Sequence, residues 1–451
     1  MDSDRGARHA KSRMVDIGSS IEFHSGIHAS LLNDPPPGTR YRVSTAEHVF
    51  LRGADTHASG GSSFRPSRDF AEAEVIDPGR SRALFHSARW PVLNRRSWVV
   101  DLDDFGYPVL WGRSAIDPRQ RRRFARGGSH IAQRSMLERS ARMLAAYTHP
   151  SCKAILFLTE RGLLEAYQWL RMVATPDLTR AFIERCHVVP GAHRTLDGSE
   201  VRRKWCDDPL TVVFCGRDYH QKNGHVALAV MTSLAQQFPA ARFHYIGEAP
   251  RDSFTRRFDS FSNAAFHGPL PRAQALRILA ESHVLFHPAR YESFGMVYAE
   301  AMAAGLAIVS SSGSQMAHVR EFLDKNGALL VPSEGDEFAH DKLIFKRALA
   351  RLLADRNAAA AMGAANYRCA TSGILSVRRR NVLLEKIYRR AEAVPAEPLR
   401  LEDLGIVDYR TRLFRLTAAA VVDDVDQFRL AVPRAPVSVL LSAPEFAYEQ
   451  I

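Results

Sequence analysis

Long apolar runs are absent from this chain of 451 residues: no stretch of about eighteen consecutive apolar residues occurs, so no helix is expected to span a bilayer. Residues 1–16 are charged and lack the apolar core of a secretory signal. Cysteine is scarce. Cys152, Cys186, Cys206, Cys215 and Cys369 are scattered, odd in number and form no CxxC or Cys/His cluster, which argues against a disulfide framework and against a structural zinc. The expected location is therefore cytoplasmic. No solenoid-length repeat, zinc-finger spacing or aromatic RNP-like run is present, so no nucleic-acid partner is expected.

What is present is an ordinary globular balance, 46% hydrophobic and 24% charged residues, in a chain long enough for two domains with separate cores. The net charge is +12, and basic residues concentrate in the first half, most densely at 119–126. Such a patch fits nucleic acid, anionic lipid headgroups or a phosphorylated acceptor, and equally a solvated arginine-rich loop. With no nucleic-acid signature beside it, peripheral contact with an anionic membrane surface or a phosphate-bearing acceptor is the functional expectation.

Along the chain, residues 1–14 read as disordered. From 15 to 195, short apolar runs such as Ile21-Glu22-Phe23, Ala83-Leu84-Phe85-His86 and Ser97-Trp98-Val99-Val100-Asp101 alternate with polar helical stretches, the pattern of a Rossmann-like half. Residues 53–68 form a Gly/Ser-rich loop, and 196–208, with a basic Arg-Arg-Lys run, reads as a linker. From 209 to 374 the alternation is clearer, with strands at 210–215, 241–246, 264–266, 284–286, 306–309 and 328–331 and helices between them. A helix covers 375–392. Residues 393–451 form an extension of unknown role, in which 428–441 alternates like a strand.

Two stretches carry chemistry. Residues 287–310 read HPARYESFGMVYAEAMAAGLAIVS, and with the apolar run before them they form a strand, loop, helix, strand unit. The loop lies at the carboxyl end of the first strand, where open α/β sheets bind ligands. Ser293-Phe294-Gly295 opens the helix, whose first N–H groups and positive dipole end suit phosphate oxygens. Glu292 and Glu300 are eight residues apart, close to whole helical turns, so both can face one ligand and accept hydrogen bonds from vicinal hydroxyls. Alone this spacing describes two solvated glutamates; between two buried strands it describes a site. The second stretch, 211–224, runs from a strand through Gly216 into a turn with Arg217 and Lys222. A guanidinium fork and a compact ammonium suit the charge that develops on a departing diphosphate.

The segment ESFGMVYAEAMAAGLAIVS resembles the Glu-x7-Glu segment of the retaining nucleotide-sugar glycosyltransferases of family four, and Gly216-Arg217 with Lys222 and Gly224 is similar to that family's Gly-Arg-x4-Lys-x-Gly. The resemblance implies an α/β fold of GT-B architecture: two Rossmann-like domains facing a central cleft, the first for the acceptor, and a C-terminal helix crossing back to the first domain. It implies that Arg217 and Lys222 bind the donor diphosphate without a metal, and that Glu292 contacts the sugar and Glu300 the ribose diol. Gly216 and the helix start at Ser293, Phe294, Gly295 and Met296 would meet diphosphate and sugar. His267 and Gly268 sit where the family contacts the base, and Gly26 where it has a close-approach glycine. Asp103 occupies the place of the family's histidine near the donor sugar, and Asp103 or Asp104 would hydrogen-bond the donor or help deprotonate the acceptor hydroxyl.

The expected partners are a nucleoside-diphosphate sugar and an unidentified hydroxyl acceptor, with no cofactor. Two departures stand out: residues 246–250 lack the family's second glycine, and 315–318 lack its Pro-Glu. Asp101-Leu102-Asp103 also matches the Asp-x-Asp metal site of the other glycosyltransferase architecture, GT-A. An epimerase or hydrolase on the same fold, and a non-catalytic module docking through the basic half, remain open on this reading.

Overall fold

Short apolar runs become the strands of two all-parallel sheets in a computed structural model that describes residues 12–18, 26–52, 73–111, 130–207, 209–250, 252–323, 326–335, 337–405 and 408–414. The chain divides into two compact units, Met1–Leu158 with Gly162–Val189 and Asn381–Ile451, and Thr159–Arg161 with Pro190–Arg380.

The first unit contains β1 (Arg13–Gly18), β2 (Thr39–Val43), β3 (Ala46–Arg52), β4 (Ala73–Asp77), β5 (Leu84–Ala88), β6 (Trp98–Asp101), β7 (Cys152–Phe157) and β8 (Cys186–Val188). Six of them form a parallel sheet in the order β2-β1-β5-β6-β7-β8. The second unit holds β9 (Thr211–Gly216), β10 (Arg242–Gly247), β11 (Ala264–Gly268), β12 (Val284–His287), β13 (Ala307–Ser311) and β14 (Ala328–Val331), all parallel, in the order β11-β10-β9-β12-β13-β14. Their near-continuous apolar sequences follow from burial on both faces under helices. Val212, Phe214, Phe243, Val284, Phe286 and Val309 are all fully buried in one core. The strand order reverses between β1 and β5 in the first sheet and between β9 and β12 in the second. The carboxyl ends of strands at such a reversal are where open α/β sheets bind ligands.

The first strand departs from the sequence reading. Residues 13–14, read as disordered, begin β1, and 21–23, read as the first strand, lie outside the described residues. The polar look of RMVDIG conceals a central strand because its buried carboxylate is neutralised: Asp16 receives the Arg42 guanidinium at 2.6 Å and that of Arg95 at 2.7 Å. Beyond these, β15 (Asp408–Phe414) pairs antiparallel with β3, giving a small sheet β15-β3-β4. The basic run 119–126, the loop 53–68 and the strand expected at 428–441 lie outside the described residues.

The stretch read as a linker is also structured. Gly198–Asp207 is a helix of the second unit, and its Lys204 turns inward, donating to Ala280 O at 3.0 Å and Ala304 O at 2.8 Å. Burial pushes that amine down to about 7. The basic run looked solvated because its periodicity, not its composition, selects the inward residue. Finally, the helix Val377–Ala393 leaves the second unit and packs Leu384, Ile387, Tyr388 and Ala391 into the core of the first beside Val15, Val99 and Leu156.

Candidate functional site

In the second unit, two loops at the reversal of strand order carry the charged residues. The turn after β9 is closed by its own backbone, with Lys222 N–H donating to Asp218 O at 2.9 Å and Gly224 N–H to Tyr219 O at 2.8 Å. Lys222 lies along Gly216: a Cβ at Gly216 would stand 2.8 Å from Lys222 Cγ, so no larger residue fits without displacing the lysine. The Arg290 N–H donates to Gln221 O at 2.8 Å and ties this turn to the loop after β12.

That loop delivers Glu292. Lys222 Nζ stands 2.9 Å from Glu292 Oε1 and donates to Tyr291 O at 3.1 Å, and His287 Nε2 is 3.0 Å from the same Oε1. Burial alone would raise the Glu292 pKa, but Lys222 and His287 together hold it below the usual carboxylate range. Its ionisation therefore stabilises the fold above the ordinary value of 4.5, and that contribution is lost as pH falls through the depressed folded value. Glu292→Gln is expected to flatten the acid side of the stability profile. Urea midpoints compared at neutral and acidic pH would read this, and parallel profiles for the two proteins would refute it.

The loop's geometry depends on Gly295, whose φ of +82° few other residues adopt, and a Cβ there would meet the Tyr298 ring at 2.8 Å. Tyr298 in turn shares a 2.7 Å hydrogen bond with Ser310 Oγ. Phe294 and Met296 are buried, packed where Gly191 leaves room, so only their backbone remains for a ligand. Ser293 is half-buried beside them. From Gly295 the helix Met296–Ala303 carries Glu300, whose Oε1 lies 2.7 Å from Arg272 Nη1.

One thiol ties these charges together. Cys215, at the end of β9, is raised to about 12 chiefly by burial, and the charges it senses belong to Glu300, Arg272, Arg217 and Glu292. Both glutamates therefore lie within electrostatic reach of the carboxyl end of β9, and Arg217, which follows that strand, is exposed. Sequence reasoning missed His287 and Arg272. The first signals itself only as the last residue of a buried strand, and the second lies on a separate helix, 28 residues from Glu300, with no periodicity linking them.

At the end of β11, His267 Nε2 meets His244 Nδ1 at 2.9 Å with the rings stacked. Burial, then the neighbouring imidazole, lowers His244 to about 4, so that ring is neutral near pH 7. Gly268 follows, with open space beside it.

In the first unit, Gly26 directly precedes the helix Ile27–Asn33. Asp103 is gripped by the Arg89 guanidinium through both oxygens, at 2.9 and 3.0 Å. The carboxylate joined to histidines is instead Asp101, with His28 Nε2 and His86 Nε2 each 3.1 Å away. His86 continues through Nδ1 to the Tyr388 hydroxyl at 2.6 Å, and Tyr388 to Tyr41 at 2.8 Å. Burial raises Asp101 and the two imidazoles more than offset it, leaving its pKa below the carboxylate range. The two acids of the Asp-x-Asp thus face different partners, an imidazole pair and an arginine, rather than one shared position.

Residues 209–355 match the family model described as Glycosyl transferases group 1. Over 160 residues the chain is 25% identical to the phosphatidylinositol N-acetylglucosaminyltransferase gpi3 subunit of Schizosaccharomyces pombe, covering 35% of this chain and 34% of that protein. Over 108 residues it is 28% identical to a glycogen synthase of Mycobacterium tuberculosis, covering 23% of this chain and 26% of that one. The chain thus spans about a third or less of the length of these curated relatives. Among solved structures, WaaG, a glycosyltransferase involved in lipopolysaccharide biosynthesis, is similar with a TM-score of 0.50 and 15% identity, over 82% of this chain and 99% of WaaG. That likeness is one of fold: an α/β chain of two Rossmann-like units, the GT-B architecture. The family match lies within the second unit and includes Lys222, Glu292 and Glu300.

Proposed function

We propose that this protein is a retaining, metal-independent glycosyltransferase that moves a sugar from a nucleoside-diphosphate sugar to a hydroxyl acceptor. The observation that carries the reading is the ion pair of Lys222 with Glu292, buttressed by His287, at the reversal of strand order within the matched stretch. In this reading the diphosphate lies between Lys222, Arg217 and the start of the helix Met296–Ala303, where a cation fork, an ammonium and free helix N–H groups meet developing negative charge. Gly216 gives the phosphates close access to the turn. Glu292, held ionised, accepts hydrogen bonds from the sugar hydroxyls, and Glu300, steadied by Arg272, accepts those of the ribose diol. His267 and Gly268 border the base.

The reaction exchanges one bond for another. The bond from the anomeric carbon to the diphosphate oxygen breaks, the acceptor oxygen bonds to the same carbon on the same face, and the acceptor proton passes to the departing phosphate. The first unit supplies the acceptor side. There His28, oriented by Asp101, and Asp103, paired with Arg89, are polar groups close to the carboxyl end of β6.

Incubation with UDP-, GDP- and ADP-sugars and a panel of hydroxyl acceptors tests the reading. The expected result is a product of unchanged anomeric configuration, formed at the same rate with and without EDTA. Inverted product or loss of activity in EDTA would overturn the corresponding part, and free nucleotide released with no glycosylated product would replace transfer with hydrolysis.

A further inference from the structure

At the opposite end of the first sheet, where β5 and β6 begin, lies a cavity of about 380 Å³ that the proposed chemistry does not use. Arg80, Arg82, Asn94, Arg96, Glu397 and Arg400 line it. Its walls are set by backbone. Ser81 and Arg95 pair as a parallel bridge ahead of the two strands. The chain returning from the last helix is pinned across them, with Asn94 N–H donating to Leu399 O at 3.1 Å and Ala396 N–H to Arg96 O at 3.0 Å. Arg95 points the other way, into the core, where Nη1 meets Asp16 Oδ2 at 2.7 Å, so alternation leaves its neighbours Asn94 and Arg96 facing the cavity. Asn94 is itself anchored, Nδ2 donating to Asp77 Oδ2 at 2.7 Å.

The charge in this concavity is unbalanced. Four guanidinium groups face one carboxylate, Glu397, which lies 3.3 Å from Arg96. Among the described residues, Arg80, Arg82 and Arg400 form no ion pair through their side chains. Like charges gathered in a recess repel one another, and a polyvalent anion relieves that repulsion while using each planar fork for two oxygens. No aromatic side chain lines the cavity, so stacked bases would find no platform. The recess lies before the amino end of β5 (Leu84–Ala88) and the His28–Asp101 pair at the carboxyl ends of the sheet, so the length of the strand, roughly 13 Å at its rise, separates them.

We propose that this recess binds a ligand with clustered phosphate groups, carried either by a phosphomonoester lipid headgroup or by a free oligophosphate. The assignment does not depend on the glycosyltransferase reading.

The test titrates the full chain with inorganic triphosphate by calorimetry, and with phosphatidylcholine vesicles with and without phosphatidic acid by co-sedimentation. Arg82→Glu with Arg400→Glu, and separately Arg82→Ala with Arg400→Ala, are expected to weaken binding at least about tenfold. Lys222→Ala is expected to retain it, which separates the recess from the donor site. Binding should weaken as salt is added, because exposed charges are screened. Capture of phosphatidic acid vesicles assigns the lipid source, and triphosphate binding without vesicle capture assigns the soluble one. The proposal is overturned if the native chain binds neither probe, if both double variants bind as the native chain does, or if a single-stranded oligonucleotide displaces triphosphate at lower concentration than triphosphate itself binds.

Discussion

Lys222→Ala is expected to lower the rate of sugar transfer by about a hundred- to a thousandfold, the usual consequence of removing one fixed donor from a site of developing charge. The expectation follows from geometry. The ammonium is 2.9 Å from Glu292 and is held there by a turn closed on its own backbone, so it needs little reorganisation when charge appears on the leaving diphosphate. Two losses combine. The cation goes, and Glu292 is left buried with His287 as its remaining close partner, which raises its pKa and would weaken the grip on sugar hydroxyls proposed for it. Because charge on the diphosphate is greatest in the transition state, kcat should fall more than donor affinity does. Single-turnover rates and nucleotide-sugar titrations of the native and variant proteins would measure the two separately. A variant that turns over within about twofold of the native protein would remove Lys222 from the mechanism.

The largest stability effect is expected at Gly247. This last residue of β10 has a φ of +144°, and a Cβ added there would lie 1.9 Å from the carbonyl oxygen of Gly216. That oxygen belongs to backbone in register, with Gly247 opposite Gly216 and Ile246 opposite Cys215, so neither partner can give way without breaking the ladder between β9 and β10. Gly247→Ala should therefore cost about 3–5 kcal/mol, combining overpacking with an unfavourable backbone conformation. In a unit of this size that corresponds to a fall in melting temperature of about 10 °C. Scanning calorimetry should show it in the transition of the second unit. An unchanged melting profile would mean that the close approach of the two glycines is not a constraint. The same displacement would move Gly216 and the lysine packed along it, so transfer should fall as well. The absence of a second glycine after Gly247, a departure from the family pattern, leaves this contact intact.

The candidate site was legible in proportion to how local its parts are. Glu292, Gly295 and Glu300 lie within one loop and one helix, where periodicity and the needs of a turn place them before any fold is known. Gly216, Arg217 and Lys222 form a second local piece. What joins the two pieces is strand order. β9 and β12 are neighbours in the sheet although two further strands lie between them in sequence, and that adjacency sets Lys222 against Glu292. The pairing of Arg272 with Glu300 and of His287 with Glu292 comes from the same packing and leaves no trace in spacing.

The misreadings have one cause. Residues 13–14 were taken for the end of a disordered tail and Gly198–Asp207 for a linker because the strand and the helix they belong to carry charge at positions that prove to be buried. Asp16 is tolerated inside by two arginines, and Lys204 by two helix-end carbonyls, partners remote in sequence. Near the end of β6, Asp101 meets two imidazoles and Asp103 meets Arg89, contacts that no spacing shows. Alone, the amino-acid sequence determined the alternating α/β character, the absence of a membrane-spanning helix among the described residues and the two charged segments, because these rest on patterns within a few turns or strands. The tertiary structure decided which strands lie side by side, which charges are neutralised inside and which arginines share a recess, because those depend on contacts between residues tens to hundreds of positions apart.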